Sequence, residues 1–407
     1  MKNNDRFDKM LTPDMVDISL EEFDKMGEEH EFSEEYKAAK KEMLKNYRKS
    51  KLFAGRVNIA KVAVAACAVI IGAPLAVNAA TNGEFFARIW GNLGKKNIPS
   101  HEEKVYDEGK DTTYTVTYPQ VDYEEVDEKK AEELIGENIS FEPVEYTFGD
   151  GTKLNVLSTV SDGNSAIVEF TLEKEGGVDC LNYSQLDNEA KGAWFNESSN
   201  IYFDVDNCVG NIFVDLEKST ADKLYCYDYL VVDAWNQSVK GLKLNIAEYP
   251  CSRTEYNKIE QEAIENDDEA SRKRYEELAA NVEIKDLQLS IKEEVQKSTY
   301  TCEEDGCAVV SPLSLDIDMS KGLGLTKEEG YDPWYIYYVA VHYKDGTDYI
   351  VNEHEYEGIH SCDVEIDNAA YECGGIDESH MRYVFNRLVD VNEIDYIQVN
   401  EAKYTLR

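Results

Sequence analysis

"YTFGDGTKLNVLSTVSDGNSAIVEFTLEKEG", Tyr146 to Gly176, holds three short alternating runs parted by Asp150-Gly151 and Asp162-Gly163. An Asp-Gly dipeptide supplies the positive φ that a tight hairpin turn needs, so the runs read as three antiparallel strands. The same rhythm extends outward. "AEELIGENISFEPV" before it is a helical turn leading into a strand, and "NIYFDV", "NIFVDLE", "LYCYDYLVVDAW" and "LKLNIAEYP" follow it. About seven strands within residues 128–253 have the size of an immunoglobulin-like β-sandwich.

Residues 254–283 interrupt the strands with charge. Asp268–Arg272, Glu269–Lys273 and Lys273–Glu277 are spaced one helical turn apart, which predicts a solvated connecting helix. A second strand series then occupies residues 284–407. It includes "WYIYYVAVHYKDGTDYIVNEH", with a hairpin at Asp345-Gly346, and the terminal "DYIQVNEAKYTL". The expected fold is mainly β with a helical N-terminus: one transmembrane helix followed by two immunoglobulin-like β-sandwich domains.

The span is expected within residues 57–80. Val62 to Ala80 is free of charge, and its 19 residues rise roughly 28 Å as a helix, against a hydrocarbon core of ~30 Å. From Lys40 to Lys61 there are eight Lys and Arg against one acid, Glu42, so the N-terminus is placed in the cytoplasm and the C-terminal body outside. Val64-Ala65-Ala66-Cys67 is a lipobox-like tetrapeptide, but it lies at the start of the apolar run instead of its end. Cleavage after Ala79 satisfies the small-residue rule, yet the run starts some sixty residues late for a signal peptide. The reading is a retained anchor. Ala68, Gly72 and Ala76 form a small-residue row through which two spans could pair as a homodimer.

Charge divides at the same point. Through Lys61 there are 13 Lys and Arg against 13 Asp and Glu, so the remainder carries the whole net charge of −40. A body that acidic repels phosphate backbones, which excludes nucleic acid as a partner. In residues 1–56, Ser33 caps a helix on which Tyr36, Met43 and Tyr47 form an apolar stripe, with Leu20, Phe23 and Met26 upstream. So short a segment cannot build its own core, and these six side chains are the expected contact with a cytoplasmic partner. Residues 81–127 read as a juxtamembrane amphipathic piece, "NGEFFARIWGNLGKK", and a polar stalk. The amphipathic piece has two readings, lying on the outer leaflet or packing under the first outer domain.

Eight of the nine cysteines follow the span, which suits an oxidising compartment. Cys302 with Cys307 across a short turn, and Cys362 with Cys373 in one short segment, are the expected disulfides. Cys226 with Cys251 and Cys180 with Cys208 then remain by order. His354, His360, Cys362 and Cys373 are four possible zinc ligands, but their spacing matches no common zinc signature. "DIDMSKG" and "DVDNCVG" begin like calcium loops and lack the acid at the twelfth position. No Ser–His or Cys–His signature stands out, so the chain is read as no enzyme, without cofactor or metal.

The order of inner helices, span, "AATNGEFFARIWG" at its outer exit, "VSPLSLDIDM" and a terminal "EIDYIQVNEAKYTL" resembles one group of Gram-positive bacterial proteins. These are membrane-anchored, carry an uncharacterised immunoglobulin-like outer domain, and are often regarded as anti-sigma-factor-like. The resemblance implies a single-pass regulator whose cytoplasmic segment binds a sigma factor and whose outer domains receive an unknown extracellular or cell-wall ligand. The chain departs from zinc-binding anti-sigma domains in having no cysteine before Cys67. The alternative is an envelope surface protein whose outer domains bind such ligands with no regulatory role.

Overall fold

The structure is a computed structural model. It describes residue 86 and residues 97–407, except 108–111, 123, 184–191, 233–240, 267, 293, 303–306, 319–335, 357 and 375–379. The chain divides into two compact units, Met1–Ala68 and Val69–Arg407, and the described residues all belong to the second. The expected span and the stripe of Leu20, Phe23, Met26, Tyr36, Met43 and Tyr47 lie outside the described residues. Among the described residues no helix is long and apolar enough to cross a membrane.

The protein is mainly β and sandwich-like. The expected stalk contains a hairpin of β1 (His101–Asp107) and β2 (Thr112–Tyr118), followed by α1 (Glu128–Ile135). Asp127 caps α1 by accepting the amides of Lys129 and Lys130. Phe86, within the amphipathic piece, is buried, and its amide donates to Glu128 Oε2 at 3.1 Å. At this residue the structure shows packing against the β-rich body.

The hairpins expected at the Asp-Gly dipeptides are present. β3 (Val144–Thr147) pairs with β4 (Lys153–Ser161), and β4 with β5 (Ser165–Glu173), with Gly151 at φ 88° and Gly163 at φ 83°. After the short pair β6 (Leu181–Asn182) and β7 (Trp194–Phe195) come β8 (Ile201–Val205), β9 (Cys208–Val214), β10 (Lys223–Val232) and β11 (Leu242–Glu248). Asp206-Asn207 passes the chain from the β8 sheet to the β9 sheet, with Asn207 at φ 56°, a conformation asparagine tolerates better than most residues. The charged stretch forms two helices, α2 (Arg253–Asn266) and α3 (Glu269–Ala279), where one was expected. Asp268 is the reason: its carboxylate accepts the amides of Ala270 and Ser271 and so starts a new helix. Of the three expected ion pairs, Lys273–Glu277 is seen, at 3.7 Å.

This helical hairpin does not connect two domains. The strand after it, β12 (Glu283–Leu289), pairs with β11 along its whole length. The first sandwich therefore has a five-stranded sheet, β3-β4-β5-β10-β9, over a three-stranded sheet, β12-β11-β8. The residues read from sequence as opening the second series at 284 belong to the first. Phe170, Phe203, Leu224, Cys226, Leu230 and Leu244 fill the space between the sheets.

Among the described residues the second series is one ten-stranded sheet. Its strands in chain order are β13 (Ser298–Thr301), β14 (Cys307–Val310), β15 (Ser314–Asp318), β16 (Tyr338–Tyr343), β17 (Asp348–Glu353), β18 (Ile366–Asp367), β19 (Ala369–Gly374), β20 (His380–Phe385), β21 (Ile394–Val399) and β22 (Ala402–Leu406). Their spatial order is β18-β17-β16-β21-β22-β13-β14-β15-β20-β19. The sheet folds over on itself about the β22–β13 junction, where only Tyr300↔Leu406 and Thr301↔Thr405 pair. The Tyr349 ring on β17 thereby meets Phe385 on β20 with centroids 5.6 Å apart. Asn368 joins the two outermost strands. Its amide and Nδ2 donate to the Val351 and Ile350 carbonyls, its own carbonyl accepts from the Tyr349 hydroxyl, and its Oδ1 accepts the Asp122 amide.

The two strand series share a second apolar layer. The outer face of the five-stranded sheet (Val160, Ile167, Phe213, Tyr227, Tyr229, Val231) packs with Ala131 and Ile135 of α1 and with Leu313, Ala370 and Val384 of the ten-stranded sheet. A tandem of separate domains would leave that face in water. Here it is covered, and β10 is buried on both faces.

Candidate functional site

The eight cysteines expected to form disulfides all lie among the described residues. No disulfide joins any of the eight cysteines of the described part. Cys302 faces the second core, whereas Cys307 is paired with Thr301, one step along β13 from Cys302. Successive residues of a strand point to opposite faces, so the pleat sets these two thiols apart. Cys362 lies in the loop before β18 and Cys373 on β19 beyond the Asn368 corner. Cys208 opens β9 and Cys251 precedes α2. Cys180 and Cys226 are both fully buried in the first core, and it is these two that the fold brings together. Burial pushes the Cys180 thiol up to about 12 and the Cys226 thiol well above its ordinary value. Cys251 and Cys362 are raised by burial as well.

Of the possible zinc ligands, His360 is engaged elsewhere. His360 Nε2 lies 3.0 Å from Glu353, and its ring stacks on Tyr337 at 4.8 Å. No group of three or more metal-ligating side chains occurs among the described residues. Asp316, from the "DIDMSKG" stretch, is buried and engages His380 Nδ1 at 2.5 Å and the Arg382 guanidinium. Arg382 also donates to the Val232 carbonyl of the first sandwich at 2.5 Å. Burial pushes the Asp316 carboxyl up, but the His380 contact and the Arg382 charge outweigh it and hold it below the usual range. These are contacts of the joint between the two series.

Clefts open on the surface of the described residues, and two of them are well formed. One, of about 530 Å³, lies beside the Asp162-Gly163 turn and is lined in part by Val232, Gly241, Leu242 and Gln288. Among its polar groups, Gln288 Nε2 donates to the Leu242 carbonyl at 2.8 Å, and the Glu294 carboxylate sits where a side chain on Gly163 would be.

The other cleft, of about 460 Å³, is lined by Asn182, Trp194, Phe195, Asn196, Glu197, Tyr202 and Arg253. Its walls are built locally. β6 and β7 pair Asn182 with Trp194 and Leu181 with Phe195. Phe195 packs against the first core, its ring 4.8 Å from both Tyr202 and Phe203, while Trp194 is 55% exposed. Asn196 is tied down by the Asp179 carbonyl and the Ser198 amide. The following loop seats the start of α2: the Ser199 carbonyl accepts the Arg253 amide and the Glu197 carbonyl accepts the Thr254 amide. Arg253 is thereby held with its guanidinium 4.6 Å over the Tyr202 ring and 5.9 Å over Phe195.

Among the described residues Arg253 has no ion pair or side-chain hydrogen bond, nor do the side chains of Asn182 and Glu197. Tyr202 is raised first by burial and then by the Asp204 charge, with Arg253 opposing. The arrangement offers an aromatic face, an open guanidinium fork and polar groups at one mouth. Among its lining residues no nucleophile stands beside a base. Sequence reasoning missed this site. The only local signal is an aromatic dipeptide, Trp194-Phe195, inside the polar run "GAWFNESSN".

No protein-family model and no curated protein matches the chain. A solved structure described as the conserved domain protein from Bacillus anthracis aligns at 10% identity over 63% of this chain and 76% of that one. Its TM-score of 0.27 carries no argument about fold or function.

Proposed function

We propose that this chain is a single-pass membrane regulator or sensor, anti-sigma-factor-like, whose acidic outer body of immunoglobulin-like sandwiches receives a ligand. In this reading residues 57–80 span the membrane and residues 1–56 bind a cytoplasmic sigma factor through Leu20, Phe23, Met26, Tyr36, Met43 and Tyr47. The charge asymmetry about the apolar run and the inner apolar stripe support the topology and the partner. The observation that carries the receiving role is Arg253, stacked on two rings beside an exposed Trp194 and, among the described residues, without a counter-ion in a chain of strongly negative charge.

Two measurements test it. Protease added to intact protoplasts is expected to remove the outer body and leave a small inner fragment. Full-length chain is expected to co-purify a sigma factor, and Phe23→Asp with Met43→Asp to abolish that, because interface energy concentrates in a few buried apolar anchors. If no transcription factor is retained, or the substitutions change nothing, the regulator reading fails. The same cleft favours a second reading in that event, an envelope protein that binds outer ligands and signals nothing.

A further inference from the structure

Arg253 is held in place without meeting a carboxylate among the described residues. Acidic residues outnumber basic ones about two to one, 82 against 42, so a counter-ion for any arginine is easy to find. Lys174, Arg274 and Arg387 each reach a carboxylate. Arg253 has none among the described residues, although its guanidinium is fixed by stacking on Tyr202 and Phe195 and lines an open cleft. A planar guanidinium with its edge free is built for a two-pronged contact to a carboxylate.

Trp194 supplies the second requirement. A two-residue strand presents its indole to solvent at 55% exposure, where it stabilises no core. A flat apolar face beside polar groups suits a ring with a C–H face on one side and hydroxyls around its edge. Asn182, opposite Trp194 across the pair, offers both an amide donor and an acceptor, and Glu197 at the mouth offers an acceptor. The Glu197 carboxylate also disfavours doubly charged groups such as phosphate relative to a single carboxylate.

We propose that this cleft binds an acidic glycan of the uronic-acid type. One sugar ring stacks on Trp194, its carboxylate takes the open fork of Arg253, and ring hydroxyls bond Asn182 and Glu197. The inference rests on the receiving role proposed for the outer body and names the class of ligand.

The test is calorimetric titration of the full chain in detergent with trigalacturonate, and with maltotriose as a neutral trisaccharide of similar size. Trigalacturonate is expected to bind, and binding is expected to weaken with added salt. Arg253→Gln is expected to weaken it about tenfold and Arg253→Lys less, because the ammonium keeps the charge and loses the fork. Trp194→Ala is expected to weaken it about tenfold as well, with Trp194→Phe restoring most of the loss. Near-UV circular dichroism establishes that each variant is folded. No heat of binding from trigalacturonate, equal binding of maltotriose, or indifference to Arg253→Gln overturns the inference. Because sigma-factor retention is read separately, a failed sugar with a retained partner sinks only the ligand class. A bound sugar with no partner sinks only the regulator.

Discussion

Replacing Asp162 by alanine tests how the two strand series are joined. Asp162 is fully buried at the β4–β5 turn, and four donors converge on its carboxylate. The amides of Asn164 and Ser165 reach Oδ1 at 2.8 and 2.6 Å, and the hydroxyls of Ser311 and Ser314, from the second series, reach Oδ2, the latter at 2.6 Å. Alanine leaves a small cavity and four unmatched donors. The Asn164 amide is only part-buried and water can reach it, which leaves three donors in the dry joint. At about 1–3 kcal/mol for each buried unsatisfied group, less what rotating two hydroxyls recovers, the loss is about 3–5 kcal/mol. That is a large fraction of the ~5–15 kcal/mol that stabilises a typical domain. Asparagine, which keeps one acceptor for the amides and turns a donor towards the serines, should cost about half as much. The assay is urea unfolding followed by near- and far-UV circular dichroism. Wild type is expected to unfold in one transition, because a shared apolar layer couples the series. Asp162→Ala should shift the midpoint down, and Ser311→Ala with Ser314→Ala should lose much of their own effect in its background. A shift below about 0.5 kcal/mol for Asp162→Ala, or additive effects of the three changes, would refute the clasp.

Three further outcomes are expected. A β-carbon on Gly210 would overlap the Tyr229 carbonyl oxygen and lie 2.9 Å from Leu230 Cδ2, so Gly210→Ala must push β9 off β10. A loss of roughly 1–3 kcal/mol in urea unfolding is expected, and a neutral result would mean the strands are not that close. Burial, then the Asp204 charge, raises the Asp228 carboxyl to about 7. The unfolded chain therefore releases this proton first, and stability falls as pH climbs from about 4 to about 7. Asp228→Asn should flatten that part of the pH–stability curve and gain roughly 1–3 kcal/mol over wild type above pH 7, and parallel curves for the two proteins would count against a buried acid here. Finally, Cys180 and Cys226 should resist iodoacetamide in the native protein at pH 8 and react only on unfolding, because both are fully buried with raised thiols. Modification of Cys180 as fast as of Cys251 would show the first core to be open.

Local chemistry made the strands and turns legible. The Asp-Gly turns at 150, 162 and 345 and the alternation around them need only a few neighbouring residues, and all three hairpins form as read. Pairing between distant strands was not legible. Glu283–Leu289 alternates in the same way whichever sheet it joins, and its contact with β11 across the helical hairpin decided that it completes the first sandwich. A clue to the shared layer did stand in the sequence. "LYCYDYLVV" is apolar on both faces of its strand, as a strand covered on both sides must be, but what covers it comes from residues far along the chain. The Trp194–Arg253 cleft was hidden for the same reason. Tertiary structure alone set a guanidinium from the start of α2 over rings from two strands, with no ion pair to it among the described residues, because stacking and counter-ion geometry depend on contacts that no local pattern records.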